Sequence, residues 1–302
     1  MDKPRPGGVS PAARAWGRFA RNRLAIFSAV FLGVTLFLVL VGPWLSPYPP
    51  QAFVGGQFEP PGLRHWCGTD GHGRDLLTRI LHGGRLSLLA GAMGAAVSLV
   101  IGVLWGGIAG YAGGRWDALL MRTVDVLYSL PTLVLVIVLV TGLNAVLDRG
   151  EWGVGAATVR FTGLMIGLGA VSWLTMARIV RGEVLSLRTR PFVEASRALG
   201  ASHGRILFHH ILPNVTGVII VYLALNIPAV MLYESFLSFL GLGVQPPQAS
   251  LGSLLAEGAS QINPIRIYWW IIAFPAGALA GVLLALNLLG DGLRDALDPH
   301  AG

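Results

Sequence analysis

Residues 24–41 read LAIFSAVFLGVTLFLVLV, an apolar run without an ionisable side chain, closed by Gly42-Pro43. A bilayer core asks for about 20 mostly apolar residues per helix, so this run is long enough to cross one. Lys3, Arg5, Arg14, Arg18, Arg21 and Arg23 precede it. A charged leader before an apolar run also suits a signal peptide. The run is long, however, and Gly42-Pro43-Trp44 offers no small-x-small cleavage site, so an uncleaved anchor is expected.

Further runs extend the pattern at Leu86 to Ile108, Val124 to Leu143, Phe161 to Val180, Val215 to Leu240 and Tyr268 to Leu289, six in all. The expected fold class is therefore an all-α integral membrane protein with six transmembrane helices. It divides into an N-terminal tail (1–23), a first transmembrane helix (24–46), an outer-side loop (47–83), a core of five helices (84–291) and a C-terminal tail (292–302). Pro228 and Pro275 fall inside the fifth and sixth runs, where neighbouring helices can re-satisfy the freed carbonyls. No fixed-period repeat and no second globular domain is visible.

Composition narrows the function. Of 302 residues, 54% are apolar and only 12% charged, too few charges to solvate a soluble enzyme of this size. Lys3 is the only lysine, so the Gly-Lys-Ser/Thr ending of a P-loop is missing and ATP hydrolysis by that route is excluded. One cysteine, Cys67, excludes an internal disulfide and a Cys-rich metal site. The net charge of +7 is almost wholly arginine, which in a membrane protein reports loop orientation rather than nucleic-acid binding.

By the positive-inside rule the N-terminal tail is cytoplasmic. Alternation then puts the segment between the fourth and fifth helices on the same side. That segment holds Arg178, Arg181, Arg188, Arg190, Arg197 and Arg205 against Glu183 and Glu194, so the two most basic stretches agree. Both termini are expected in the cytoplasm. The loop after the first helix fits less well, since it carries Arg64, Arg74, Arg79 and Arg85 yet faces outward.

Gly102, Gly106, Gly110 and Gly114 are spaced by four and expected on one ridge of the second helix, where missing side chains let another backbone approach. Gly163/Gly167 and Gly277/Gly281 repeat the device. Such ridges suit crossings that slide, and equally static packing. Ionisable groups near membrane depth mark function or an inward face. Asp125 begins the third run and Glu234 sits near the outer end of the fifth; both are candidate translocation-pathway residues. A proton-coupled carrier wants carboxylates nearer mid-membrane than these.

Gly200-Ala201-Ser202-His203-Gly204 matches G-x-S-x-G formally, but a nucleophile elbow needs a strand leading into a helix and this pentapeptide follows a helical stretch. His209 and His210 are adjacent and so point about 100° apart on a helix, which disfavours shared metal ligation. No catalytic residue and no metal site is expected.

Between the fourth and fifth helices runs Pro191-Phe192-Val193-Glu194-Ala195-Ser196-Arg197-Ala198-Leu199-Gly200. Proline suits a first turn and glycine a helix end. Phe192, Ala195 and Leu199 share one face, and Glu194 and Arg197 are spaced to pair. This short helix has no apolar surface in its own loop to bury against. It either lies on the membrane interface or sits in a groove of a partner protein.

The same residues resemble a known family. Glu194, Ala195, Gly200, Leu212 and Pro213 match the Glu-Ala-Ala, Gly, Leu-Pro signature loop of permease subunits in binding-protein-dependent ABC importers. Ser196 stands at the third signature position and His210 at the usual isoleucine. Gly68-Thr69-Asp70-Gly71-His72-Gly73-Arg74-Asp75, Glu234 to Gly243 and Asn287 to Pro299 resemble blocks of the dipeptide and oligopeptide permease C-subunit branch. The resemblance covers nearly the whole chain.

It implies a type I ABC importer permease fold with a cytoplasmic coupling helix, in a bacterial inner membrane. The chain would be half of a translocation pathway for peptides, with nickel or another small solute as the alternative cargo within the branch. The implied partners are a second, B-type permease subunit, two ATPase subunits that bind ATP and magnesium, and an extracytoplasmic substrate-binding protein. No cofactor is expected in this chain. Residues 192–200 would couple it to the ATPase, with Glu194 as anchor and Gly200 allowing the turn.

Overall fold

The computed structural model describes residues 11–147, 156–262 and 265–297. Among these there is no strand, only an isolated bridge between Thr69 and Asp75. Residues 1–10 and 298–302 of the two expected tails lie outside the described residues. The N-terminal tail contains a helix, α1 (Pro11–Phe19).

Helix α2 (Arg23–Leu45) starts where Asn22 caps it, its side chain accepting from the N–H groups of Leu24 and Ala25 at 3.1 and 3.2 Å. Only Ala25, Ser28 and Val39 on it are buried, so it stands at the margin of the bundle with its leucines and phenylalanines turned outward, as lipid requires. Helix α3 (Leu76–Ala112) is the central rod. Its 37 residues reach roughly 55 Å at 1.5 Å per residue, well beyond a bilayer core. Apolar periodicity places the start of this helix at Leu86, with residues 76–83 in the outer loop. It begins earlier because Asp75 caps it, accepting from Thr78 N–H at 2.8 Å, a polar start that apolar periodicity does not report.

The third apolar run is not one helix. It divides into α4 (Gly114–Tyr128) and α5 (Thr132–Leu147), bent by 93°. Pro131 has no N–H to continue the ladder and disfavours helical backbone at Leu130. Counting the bent pair as one span, six helices or pairs among the described residues are long and apolar enough to cross a membrane. Helix α4 carries Arg115, Asp117, Arg122 and Asp125 and is tied to its neighbours by polar contacts. Trp105 Nε1 donates to Leu120 O at 3.1 Å, and Arg181 grips Asp117 with two bonds of 2.5 and 2.6 Å.

Helix α6 (Ala156–Leu187) lies along α3. A short helix, α7 (Pro191–Ala198), and a single turn, α8 (His203–Arg205), follow it. A π-helical segment, Ile206–Ile211, runs into α9 (Leu212–Phe239). Helix α10 (Leu251–Ser260) lies at the opposite end of the bundle from α7, and α11 (Trp270–Leu297) returns alongside α2. Pro228 and Pro275 sit inside α9 and α11 as expected. The last helix continues past Leu289 to Leu297, so most of the expected C-terminal tail is helical.

The glycine ridge stands, with one correction. A β-carbon at Gly102 would lie 2.6 Å from Met176 Cβ, and one at Gly110 would lie 2.8 Å from Arg181 O. One at Gly106 would collide with the Ala177 carbonyl. All three face α6. Gly114 does not belong to the row: Gly113 ends α3 at φ +66° and Gly114 opens α4 at φ +55°, with nothing near its Cα. Gly167 and Gly281 pack closely on Val140 and Phe31, whereas Gly277 faces open space.

The arginines of the loop after α2 are held by acids. Asp70 accepts from the N–H groups of His72 and Arg74 at 2.8 and 3.0 Å, and from the guanidinium groups of Arg74 and Arg79 at 2.7 Å each. Glu257 on α10 binds Arg79 twice, at 2.6 and 2.8 Å, and Arg74 at 3.0 Å. Two of the four arginines that strain the positive-inside pattern are thus neutralised by ion pairs that pin the loop to α3 and α10.

Candidate functional site

A helix forms over the segment expected to couple, residues 192–200, but it spans Pro191–Ala198, so Leu199 and Gly200 lie past its end. Arg190 is extended, and Pro191 takes the first position of α7, where a missing N–H costs nothing. Its end is a Schellman turn: Gly200 N–H donates to Arg197 O at 3.0 Å and Ala201 N–H to Ser196 O at 3.1 Å. That turn puts Gly200 at φ +80°, with open space around its Cα. Glycine is required there by backbone conformation, not by lack of room.

Val193 alone among the residues of α7 is buried, at 0% exposure. It packs in a cluster with Met176, Val180 and Val184 of α6, Ile206, Leu207 and Ile211 of the π segment, and Val215 of α9. The wider π turn brings Ile206, Leu207 and Ile211 together onto this buried side. Around that root the rest of the helix is open. Phe192 is 40% exposed and Leu199 89%, and Glu194, Ala195, Arg197 and Ala198 are also exposed, with Ser196 half-buried. The expected Glu194–Arg197 pair does not form among the described residues, which leaves both charges free to meet something else. Ser196 Oγ instead donates to Phe192 O at 2.9 Å.

Ser202 is the N-cap of α8, its Oγ accepting from Arg205 N–H at 3.4 Å, and not the tip of an elbow between strand and helix. Among the described residues no group of three His, Cys, Asp or Glu side chains could hold a metal.

The two pathway candidates lie in different surroundings. Asp125, on α4, is exposed and takes a 2.7 Å bond from Arg178 of α6. The Arg178 guanidinium stands 4.0 Å over the Tyr128 ring, a cation–π contact at the elbow between α4 and α5. Glu234 is fully buried. Ser87 of α3 donates to it at 3.1 Å and Ser238 at 2.7 Å. Those serines in turn accept from the N–H groups of Leu251 and Val244, each at 3.2 Å. Glu234 is therefore the hub of a closed polar knot that joins α3, α9 and the start of α10, and it does not face open space.

Sequence reading missed a polar seam between α6 and α9. Ser172, Thr175, Asn226 and Ala229 line both of two adjoining cavities, one of about 250 Å³ and one of about 120 Å³. The second cavity opens at the α4–α5 elbow, where Tyr128 and Thr132 join its wall. Single hydroxyl and amide residues inside apolar runs carry little sequence signal, and the proline that makes the elbow was the available clue.

Residues 102–302 match the family model described as binding-protein-dependent transport system inner membrane component. Residues 10–61 match the N-terminal TM domain of oligopeptide transport permease C. The chain is 42% identical to the oligopeptide transport system permease protein OppC of Haemophilus influenzae, over 93% of this chain and 86% of that one. It is 41% identical to the dipeptide transport system permease protein DppC of Bacillus subtilis, over 99% and 88%. It is 42% identical to OppC of Escherichia coli, over 93% and 89%.

Proposed function

We infer the function from one premise: this chain belongs to the family of binding-protein-dependent transport system inner membrane components. It is the permease subunit of an ABC importer for di- or oligopeptides and forms half of the translocation pathway. A second, B-type permease subunit supplies the other half. Two cytoplasmic ATPase subunits bind ATP and magnesium, and an extracytoplasmic binding protein delivers the peptide. The chain lies in a bacterial inner membrane with both termini cytoplasmic.

What supports the coupling role is the shape of α7. Exposed Phe192 on it and exposed Leu199 at its C-cap offer an apolar grip to a partner groove. Its one buried residue, Val193, is wedged into the cluster shared by α6 and α9. A push on α7 cannot be absorbed locally, because packed interiors transmit strain. When the ATPase pair closes on ATP, α7 moves, and α6 and α9 move with it. The cavity then opens toward the binding protein, and after hydrolysis it opens toward the cytoplasm.

The test is the complete importer in proteoliposomes. Peptide uptake stops without ATP, and Phe192→Ala together with Leu199→Ala uncouples it while the chain stays inserted. Uptake that survives ATP depletion but collapses with the pH gradient would make the chain a proton-coupled carrier instead.

A further inference from the structure

We propose that the α6–α9 seam binds the main chain of a peptide in transit, with Asn226 supplying its central donor. This rests on the peptide-permease reading above.

Ser172 lies midway along α6 and Asn226 midway along α9. Polar side chains at that depth are costly against lipid and find interhelical partners or line a wet route. Among the described residues Asn226 has no such partner: its Nδ2 is buried and bonds nothing. A buried donor without an acceptor is destabilising, so its retention asks for an acceptor that is not part of this fold.

The rest of the wall carries polar, uncharged groups, with Tyr128 OH and Thr175 Oγ1 bonded to each other at 2.8 Å and Ser172 Oγ donating to Leu168 O at 2.9 Å. Besides Asn226, its polar groups are Ser172, Thr175, Tyr128, Thr132, Tyr222 and Tyr233, and none of the residues lining either cavity is acidic or basic. Hydroxyls and amides both donate and accept. A peptide main chain offers one carbonyl and, proline aside, one N–H per residue whatever its sequence, which is what such a wall can hold without selecting side chains. A neutral wall also holds weakly enough for release, as conduction requires. The charges stay at the lip, where Arg178 bonds Asp125 and covers Tyr128.

The experiment uses the reconstituted importer, with its ATPase and binding protein, and two probes: trialanine and its depsipeptide with an ester in place of the central amide. The ester removes one N–H and weakens one carbonyl acceptor. Wild type is expected to carry trialanine several-fold faster than the ester. Asn226→Leu lowers trialanine uptake by about fivefold, the scale of one hydrogen bond, and brings the two probes close to equal rates. Thr175→Val, which keeps the shape, narrows the difference less. In both variants the second permease subunit still co-purifies.

Wild-type rates and wild-type discrimination in both variants would overturn the inference while leaving the peptide reading intact. Loss of the second permease subunit from both would make the seam a subunit contact, and the inference would fail. Should Asn226→Leu not insert, Thr175→Val decides alone. Wild type that carries neither probe while fully assembled would bring down the peptide reading and this inference together.

Discussion

Gly106 of α3 faces the backbone of Ala177 on α6 with no room for a β-carbon between them. The clash would be with a main-chain carbonyl, which cannot rotate aside. Gly106→Val therefore has to spread the two helices, and overpacking of this kind costs about 1–3 kcal/mol. Gly277→Ala, in open space, is the matched control and stays within about 0.5 kcal/mol. Thermal unfolding of the two variants in detergent separates them.

At Gly200 the constraint is conformational. Its φ of +80° is strained for a side chain, by about 1–2 kcal/mol for most residues and less for asparagine. Gly200→Val is expected to fray the end of α7 and weaken ATPase capture in pull-down. Gly200→Asn should hold its partner nearly as well as wild type. Equal loss in both variants would point to crowding against the partner rather than to the turn.

Acid should loosen the loop after α2. Burial pushes the Asp70 carboxyl up, but the N–H groups of Arg74 and His72 and the guanidinium groups of Arg79 and Arg74 outweigh it and hold the carboxyl below the ordinary value. A depressed carboxylate stabilises fully above its unfolded pKa, near 3.9, and that contribution disappears as pH falls through the folded value. Wild type should lose stability below about pH 4. Asp70→Asn, which leaves Arg74 and Arg79 paired with Glu257, should start about 1.5–3 kcal/mol less stable at pH 7 and show little of that acid-dependent loss. Melting curves across the range check both.

Glu234 links elements 147 residues apart in the chain through Ser87. Glu234→Ala strands two serine hydroxyls in a closed site and is expected to cost about 3 kcal/mol. Glu234→Gln keeps an acceptor and the volume and should cost about 1 kcal/mol. If Glu234→Ala melts like wild type, the knot does not hold α3 to α9.

Cys67 should resist alkylation. Burial, and then the nearby Asp75 carboxylate, push its thiol up to about 11. The reactive thiolate is scarce at pH 8. Iodoacetamide labelling should be slow in the folded protein and rise sharply as the pH approaches the shifted value or when the chain is unfolded.

Some of this was legible in the residues. That each of the six apolar runs is helical was, because lipid leaves an apolar run no alternative, but the early start of α3 and the break between α4 and α5 were not. The bounds of α7 were, because Pro191 and Gly200 each have one place in a helix. The row Gly102, Gly106, Gly110 was, because a spacing of four is a geometric statement. The same rule misled at Gly114, where φ values of +66° and +55° at Gly113 and Gly114 turn the chain out of the row. Pro131 breaks α4 from α5, but the apolar run continues across it and reads as one span.

Residue order alone settled what the chain must cross, which short segment projects from the bundle, and which ridge lets helices close in. These are local properties, set by one stretch and its solvent. Tertiary structure alone decided that Glu234 belongs to a knot with Ser87, that Arg79 meets Asp70 and Glu257, and that Asn226 stands without an acceptor between α6 and α9. The reason is physical: a polar group's role depends on which distant group comes within about 3 Å of it, and no local pattern carries that distance.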